Sequence, residues 1–352
     1  MGCSSAFSTY FLLLLFVPIY GKPLVPALFI FGDSSLDVGN NNYLPTLIKA
    51  NFLPYGKDFI NHLPSGRFSN GKIVIDFASE TLGFISYQPA YLSLYIKGKY
   101  LLNGVNFASS GSGYLDSTAR TWSALSISQQ LECYKDYQEE LVKIAGRSNA
   151  SSIISGAVYI VGFGTGDFFL NYFINPLLHN VHTPYQFSDI LVQNYAKFIQ
   201  NLYALGARKI GVPTLIPLGC LPAAITLFGP AHSKECVVKI NDVAIYFNQK
   251  LNSTSVNLRK KLPGLSLAIL DAYKPFHNLV TKPSEYGFSE TRKGCIGSSL
   301  VENIPIFNNK KTIITTCPNA SKYVFWDGLH PTEATNKYMA AELIADAMPL
   351  IS

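Results

Sequence analysis

The chain has 352 residues, of which 48% are hydrophobic and 13% aromatic, so it is long enough to bury a large core. Its formal net charge is +6, but the Lys and Arg residues are dispersed, with local clusters only around residues 259–261 and 309–311. This distribution argues against a nucleic-acid-binding stripe. No low-complexity linker, internal repeat or surplus amphipathic helix is evident. The sequence therefore predicts a single domain over residues 22–352, acting as a monomer without a nucleic-acid partner.

The first 21 residues have the pattern of a secretory signal peptide. They carry no charged side chain, contain an apolar core at residues 11–17, and end in a small residue before Lys22. The apolar run is too short to cross a bilayer, so we expect cleavage after Gly21, secretion, and no transmembrane segment in the mature chain. Three N-glycosylation acceptors agree with that compartment: Asn149, Asn252 and Asn319.

Six cysteines become five once Cys3 leaves with the signal peptide. In an oxidising compartment the economical pairings are local, although the sequence cannot fix connectivity: Cys220 with Cys236, and Cys295 with Cys317. Cys133 is left over. It lies in a predicted helix, and we interpret it as a buried small hydrophobe, not a nucleophile.

Short apolar runs alternate with longer helical patterns along the chain. The predicted strands are residues 26–31, 157–162, 209–215, 265–270 and 323–326. The predicted helices are residues 72–82, 128–145, 185–205, 237–262 and 332–348. This alternation predicts a parallel sheet covered by helices on both faces, a three-layer α/β/α fold.

The first predicted strand ends in a Gly-Asp-Ser turn that holds Ser34, followed by an Asn-rich loop. Ligands of open α/β sheets bind beyond the carboxyl ends of strands, so Ser34 lies where a reacting atom could reach it. A serine nucleophile needs a base, and the base needs an orienting group. Asp327 and His330, three residues apart near the far end of the chain, supply both. Seen alone, this Asp-x-x-His is better explained as the start of a helix.

The chain resembles the plant GDSL esterase/lipase family of the SGNH hydrolase superfamily, from residue 26 to about residue 338. The segments that carry the resemblance occur in the family's order: residues 31–42, 54–56, 65–72, 104–113, 219–222 and 327–331. Ser35 stands where the name motif has leucine. The rival α/β-hydrolase fold would carry its nucleophile in Gly-x-Ser-x-Gly, and this sequence has no such pentapeptide.

The resemblance implies a flavodoxin-like fold and a secreted carboxylic ester hydrolase of the cell wall or apoplast, without a cofactor. Ser34 would be the nucleophile, His330 the general base, and Asp327 the group that orients the imidazole. The oxyanion hole would combine the backbone N–H of Ser34, the backbone N–H of Gly111, and an asparagine side chain of the family's third block. The ester of a lipid, an acylated sugar or an acylated phenolic would all suit the family.

The third block, residues 164–167, departs from the family, because Gly166 occupies the asparagine position. Losing one oxyanion donor commonly lowers turnover ~100- to 1000-fold. Three hypotheses stay open: a slower hydrolase with two backbone donors, a hydrolase in which water or Thr165 substitutes, and a binding protein that has kept the fold. An acyltransferase is a further alternative. The missing-donor explanation predicts that Gly166→Asn raises kcat/KM.

Other polar residues near these blocks have structural interpretations. We expect Asp33, Asp37 and residues 40–42 to shape loops, and Asp167 to brace the third-block loop. His179 and His182 have a metal-like spacing without a carboxylate or thiol partner, so we predict no metal site there. The aromatic and aliphatic stretches 168–174 and 221–228 would serve equally well as core or as an acyl cleft.

Overall fold

A computed structural model describes residues 22–93, 98–230, 235–298, 300 and 315–351. The predicted signal peptide over residues 1–21 and the basic cluster around residues 309–311 lie outside these described residues. Within them, no helix combines the length and the hydropathy that a bilayer crossing requires.

Four parallel strands form the central sheet in the order of the sequence: β1 (Leu28–Gly32), β2 (Val158–Gly162), β3 (Lys209–Pro213) and β4 (Ser266–Leu270). Each coincides with a predicted strand apart from small differences at the ends. Leu28 is paired with Val158 at the start of β1, and Gly32 with Gly162 at its end. Apolar runs without polar alternation are expected for strands that are buried on both faces.

Helices cover both faces of this sheet. They are α1 (Val74–Thr81), α2 (Asp116–Trp122), α3 (Ile127–Ala145), α4 (Arg147–Gly156), α5 (Pro176–Val181), α6 (Pro184–Ala204), α7 (Pro222–Phe228), α8 (Val238–Lys261), α9 (Tyr273–Thr281) and α10 (Glu333–Ile351). The five long or strongly apolar ones, α1, α3, α6, α8 and α10, were predicted. The other five have ten residues or fewer, which is too short for a clear helical period.

One face of the sheet packs against α3, α6 and α8. Side chains alternate along a strand, and Phe29, Phe31 and Tyr159 point to this face. All three rings contact Tyr134 of α3 with centroids 5.4 to 5.9 Å apart. We call this the aromatic face.

The opposite face packs against α1 and α10. Leu28, Ile30 and Val158 point to it and form a second cluster with Ile75 of α1 and Leu350 of α10. We call this the aliphatic face. Because the sheet lies between two helical layers, the predicted α/β/α architecture is confirmed.

A second, two-stranded parallel sheet pairs β5 (Glu290–Gly294) with β6 (Tyr323–Phe325). β6 coincides with the last predicted strand, but the expectation that it joins the central sheet is wrong. Its backbone bonds to β5 and to the segment after it, where Cys295 N–H donates to the Phe325 carbonyl. An apolar run predicts a strand without naming its partner. β5 was not predicted because its sequence is largely polar.

The predicted disulfide pairings are both present, Cys220 with Cys236 and Cys295 with Cys317. The second bridge lies directly after β5. Cys133 is free and half-buried on α3, less buried than predicted. Burial raises the pKa of its thiol to about 11, so it is protonated at neutral pH, in agreement with the prediction that it is not a nucleophile.

Candidate active site

Ser34 lies in the turn directly after β1. The Asp33 N–H donates to the Gly162 carbonyl of β2 at 3.1 Å, and the Asp33 carbonyl accepts two later backbone N–H groups, which closes the turn. Gly32 permits this close approach, because a Cβ on it would lie 2.5 Å from the Gly162 oxygen. The turn therefore holds Ser34 at the carboxyl edge of the sheet, as the strand pattern predicted.

The buried side chain of Gln130, on α3, braces the same turn. Its Oε1 accepts the Gly32 N–H at 3.1 Å, and its Nε2 donates to the Gly32 carbonyl at 2.9 Å and to Ser112 Oγ at 3.2 Å. One amide thus satisfies both backbone groups at the end of β1. Sequence analysis missed Gln130, because a single glutamine on an amphipathic helix has no distinguishing pattern.

Ser34, His330 and Asp327 form one chain of hydrogen bonds. His330 Nε2 is 2.7 Å from Ser34 Oγ, and His330 Nδ1 is 2.9 and 2.8 Å from the two carboxylate oxygens of Asp327. A carboxylate has no hydrogen to donate, so Nδ1 carries the proton and Nε2 accepts the Ser34 hydroxyl. The three residues that the sequence singled out are therefore together, with the imidazole between acid and alcohol.

Asp327 is buried and well supplied with donors. The backbone N–H groups of Leu329 and His330 donate to its Oδ1 at 2.8 and 2.7 Å. Burial raises the pKa of Asp327, but the charge of His330 and the hydrogen bonds from His330 and Leu329 outweigh it, so the pKa lies below its usual value. The carboxylate stays ionised beside the imidazole.

The fully buried Tyr55 donates its hydroxyl to Asp327 Oδ2 at 2.8 Å. Its ring packs edge-on against Trp326 and Phe68, and Phe68 lies over the His330 ring with centroids 4.9 Å apart. The block at residues 54–56 marked this segment in the sequence, but no role followed for its tyrosine. Tyr55 fixes the second carboxylate oxygen, which leaves Asp327 a single orientation.

The segment that carries Asp327 and His330 is held from both sides. Trp326 N–H donates to the His330 carbonyl at 2.7 Å, which closes the segment on itself. Ser69 Oγ donates to the Pro331 carbonyl at 3.0 Å, and Asn70 Oδ1 accepts the Glu333 N–H at 2.8 Å at the start of α10. The block at residues 65–72 thus anchors the base rather than supplying chemistry.

The Asn-rich loop after Ser34 is structural, as predicted. Asp37 accepts backbone N–H groups of Gly39, Asn40 and Ser110 at 2.7 to 3.0 Å. Asn40 donates to the carbonyls of residues 106 and 108, and Asn41 to those of residues 48 and 110. Asn42 donates to the carbonyl of residue 65. Side-chain amides tie the loop to residues 104–113, which are the second block of the family. Burial outweighs these bonds and raises the pKa of Asp37 to about 6.

Gly166 begins the short helical turn after β2, and its position explains why no side chain occurs there. A Cβ on Gly166 would lie 2.4 Å from the carbonyl oxygen of Ser112. Burial raises the pKa of the nearby Asp33 carboxyl, and the Gly166 N–H partly offsets that rise. The second-block loop therefore fills the space that an asparagine would need. Gly166→Asn therefore requires this loop to move before its amide could act as a donor, and the missing-donor explanation stays a prediction.

Gly111 has a positive φ of 87°, and a Cβ on it would face Trp122, Ile48 and Ala124. It is not among the described residues that line the cavity at Ser34, whereas Thr165 is. Its role as an oxyanion donor stays a prediction.

Two buried carboxylates, Asp33 and Asp167, lie behind the nucleophile. Asp167 accepts the backbone N–H of Tyr114 at 2.6 Å and the Thr118 hydroxyl at 2.7 Å, so it braces the second-block loop rather than its own. Burial raises its pKa to about 7, and the neighbouring Asp33 adds to that rise. Asp33 accepts Ser35 N–H and Oγ at 3.1 and 2.8 Å, a loop role as predicted, and burial also raises its pKa.

A cavity of about 170 Å³ opens beside Ser34 and His330 on the aliphatic face. Neither stretch that the sequence suggested for an acyl cleft lines it. Residues at the start of each stretch, such as Phe168 and Leu221, are buried in the aromatic-face core. These residues therefore serve core packing.

Of the remaining candidates, the three glycosylation acceptors are exposed: Asn149, Asn252 and Asn319. His179 packs its ring 4.7 Å from that of Tyr172, and His182 is half-buried after α5. Over the described ranges, no group of three His, Cys, Asp or Glu side chains could hold a metal ion.

Comparison with known proteins points to one family. A family model described as GDSL-like lipase/acylhydrolase matches residues 28–343. The protein called GDSL esterase/lipase At5g22810, from Arabidopsis thaliana, is 56% identical over 339 residues, which cover 96% of this chain and 93% of the relative. GDSL esterase/lipase At5g03810 of the same plant is 52% identical over 332 residues, 94% of each chain. GDSL esterase/lipase APG, also from that plant, is 49% identical over 328 residues, 93% of this chain and 92% of the relative.

Similar solved structures are more distant. A catalytic mutant of Axe2, an acetylxylan esterase from Geobacillus stearothermophilus, is 11% identical with a TM-score of 0.42, covering 92% of this chain and 94% of that one. An extracellular lipase from Streptomyces rimosus is 9% identical with a TM-score of 0.39, covering 93% and 100%. Likenesses at this level assign no residue and no substrate to this chain.

Proposed function

Because this chain belongs to the GDSL-like lipase/acylhydrolase family and is a carboxylic ester hydrolase, we propose that Ser34, His330 and Asp327 carry its reaction through an acyl-enzyme. The observation that carries the proposal is the continuous hydrogen-bond chain from Ser34 Oγ to Nε2 of His330 and from its Nδ1 to Asp327. A surface histidine at a helix start would not meet a serine nearly 300 residues away.

In the first half of the reaction, Ser34 Oγ attacks the ester carbonyl while its proton passes to Nε2 of His330. The tetrahedral intermediate collapses, His330 donates the proton to the leaving alcohol, and the acyl group stays on Ser34. Water then attacks the acyl-enzyme with His330 again as base, which releases the carboxylic acid and restores the serine. Asp327, ionised and held by Tyr55, keeps the Nδ1 proton in place and stabilises the imidazolium.

The oxyanion requires donors near the attacked carbonyl. The Ser34 N–H is the first candidate, because none of the hydrogen bonds found among the described residues uses it. Thr165 is the second, since it lines the cavity with Ser34. We keep the Gly111 N–H as a third candidate from the family resemblance. The hole we propose therefore has no amide side chain.

The deciding experiment compares turnover of p-nitrophenyl esters by the wild type and by Ser34→Ala, with Ser35→Ala as matched control. Ser35 is the exposed neighbour and bonds only Asp33 among the described side chains. We expect Ser34→Ala to lose at least about 10⁴-fold in kcat, and Ser35→Ala to keep most activity. Equal activity of Ser34→Ala and wild type would refute the nucleophile. If neither the wild type nor any variant turns over the esters, a binding role would be supported instead.

We also propose that the protein is secreted and that its mature chain begins at Lys22. The charge-free apolar start, the two disulfides and the exposed acceptor asparagines support this. Expression in plant cells followed by N-terminal sequencing of protein from the medium tests it. Protein retained in the cells with residues 1–21 intact would contradict it.

A further inference from the structure

The cavity beside Ser34 continues away from the catalytic residues, between the aliphatic face of the sheet and α10. On α10 its lining residues are 336, 339, 340, 343, 344 and 347, the spacing of one helical face. From Asn336 to Ala347 this face is about 16 Å long at the rise of an α-helix. The mouth contains Ser34 and His330, so the cavity begins at the reacting atoms and extends well beyond them.

The lining is predominantly apolar, and its uncharged polar side chains are Ser34, Ser35, Thr165, Thr214 and Asn336. Among the described residues that form it, the ionisable side chains are Asp33 and His330, both at the mouth. Ile160 of β2 and Leu270 of β4 lie on the sheet side, and Ile75 and Ala78 of α1 complete the wall. Apart from Thr214 and Asn336, the lining beyond the mouth offers no side-chain partner for a sugar hydroxyl, and it offers none for a charged group.

The space exists because α10 presents small side chains to the sheet. Ala340 and Ala347 line the cavity where larger residues would fill it. Beyond Ala347, the fully buried Leu350 of α10 packs near the sheet: Leu350, Ile160 and Leu270 all come within 3.3 Å of the point where a Cβ on Gly211 would lie. Packed apolar side chains therefore lie at the end of the cavity away from Ser34.

We propose that this pocket binds the acyl chain of the substrate, and that the chain it fits best has roughly six to eight carbons, since a cavity of about 150 Å³ holds benzene. The inference rests on the proposed function, in which the acyl carbon is bonded to Ser34 Oγ. The alcohol departs and water enters while the acyl group is still bonded to Ser34, so the alcohol lies toward solvent and the apolar cavity is left for the acyl chain.

Each methylene buried in an apolar site changes an equilibrium by about fourfold. In a series of p-nitrophenyl esters, kcat/KM should therefore rise roughly 200-fold from acetate to hexanoate and level off near octanoate. In a second series, made of acetates of 1-alkanols, lengthening the alcohol should raise kcat/KM only slightly. An equal gain in the alcohol series, or a flat acyl series, would overturn the assignment.

Variants on α10 test the location. Ala340→Phe fills the middle of the pocket, so the ratio of kcat/KM for hexanoate to that for acetate should fall at least about tenfold. Leu343→Ala deepens the pocket and should move the optimum to longer esters. Ala341→Phe, exposed on the same helix, is the matched control and should leave the chain-length profile unchanged. Thermal melts identify a variant that fails to fold, and the half-buried Leu343 then decides.

The inference and the proposed function fail differently. If ester turnover requires Ser34 but its chain-length profile is the same in Ala340→Phe, Leu343→Ala and the wild type, the pocket assignment is refuted and the proposed triad is not. If no ester is turned over, the pocket is tested by binding, with the thermal shift that methyl octanoate produces in Ser34→Ala protein. A shift that methyl acetate does not give, and that Ala340→Phe abolishes, would support the pocket; no shift would overturn it.

Discussion

The two faces of the central sheet are built on opposite plans. The aromatic face interlocks large rings, with Phe31 lying against Phe107, Tyr134 and Phe198 and no exposed surface. The aliphatic face meets a helix that presents alanines and leaves a cavity of about 170 Å³. Both faces reach the same catalytic edge. One side of this fold therefore supports the Ser34 turn by close packing, while the other leaves the cavity that we propose for the acyl chain of the substrate.

The largest expected effect tests the rigid side. Phe31→Ala should lower the free energy of unfolding by about 3–5 kcal/mol, because it removes a fully buried ring from close packing. Leu343→Ala, on the cavity side, should lower it by less than about 2 kcal/mol, because its side chain is half-buried and borders space already empty. Urea unfolding measures both. Equal losses would remove the distinction between the faces.

The next effect is a pH dependence on the packed side. Asp167 has a folded pKa of about 7, against ~3.9 for an aspartate in an unfolded chain. The folded protein therefore holds a proton that the unfolded chain releases, so this contribution is complete below pH ~3.9 and is lost as pH rises through about 7. From pH ~4 to ~8 the wild type should lose up to roughly 4 kcal/mol of stability relative to Asp167→Asn.

Urea unfolding of the wild type and Asp167→Asn at several pH values checks that sign. The exposed Asp136→Asn on α3 is the control and should track the wild type. A stability difference that moves in favour of the wild type as pH rises would contradict the buried-carboxyl explanation.

A smaller effect concerns the tight contact at Gly166. Gly166→Ala and Gly166→Asn should each lower the free energy of unfolding by about 1–3 kcal/mol, because any Cβ meets the Ser112 carbonyl. Neither should exceed the wild type in kcat/KM. The alanine variant isolates the steric cost from any gain due to the amide. If Gly166→Asn surpasses the wild type, the second-block loop yields and the missing-donor hypothesis is right.

The smallest effect lies at the hydrogen bond behind the base. Tyr55→Phe removes the hydroxyl that donates to Asp327, and kcat/KM should fall about tenfold, the value of a hydrogen bond to a charged group. With one donor fewer, the Asp327 carboxylate should hold the protonated imidazole more strongly and move the acidic limb of the pH–rate profile upward. Tyr195→Phe, a buried tyrosine bonded to Ser255, is the control. If the acidic limb of the pH–rate profile lies at the same pH in Tyr55→Phe and the wild type, the role of Tyr55 is structural only.

Much of this molecule could be predicted from sequence, for physical reasons. Short apolar runs such as residues 26–31 predict buried strands, because they are too short for a typical helix and too apolar for a loop. Long amphipathic helices are identified by the helical period of their apolar residues. The disulfides are local in sequence, and both pairings are confirmed. Ser34, Asp327 and His330 could be singled out because the residue types and spacing within a motif are read directly from the sequence, whatever conformation the intervening loops adopt. The structure brings these three side chains together.

What could not be predicted depends on packing between distant segments. The partner of β6 is β5, a polar strand whose pairing no local pattern specifies. Gly166 looked like a missing donor, whereas the neighbouring Ser112 carbonyl occupies the space of its side chain. Periodicity shows which face of α10 is apolar. The size of the gap that Ala340 and Ala347 leave above the sheet depends on the distance between the helix and the sheet, which the sequence does not specify.

The hydrogen bond between Ser34 and His330 joins residues 296 positions apart. During synthesis, the nucleophile turn emerges long before the base exists, and only chain folding over this whole span can bring them together. An incomplete or misassembled chain therefore has a serine without a base. In the mechanism that we propose, catalytic competence therefore requires folding of the chain over this whole span.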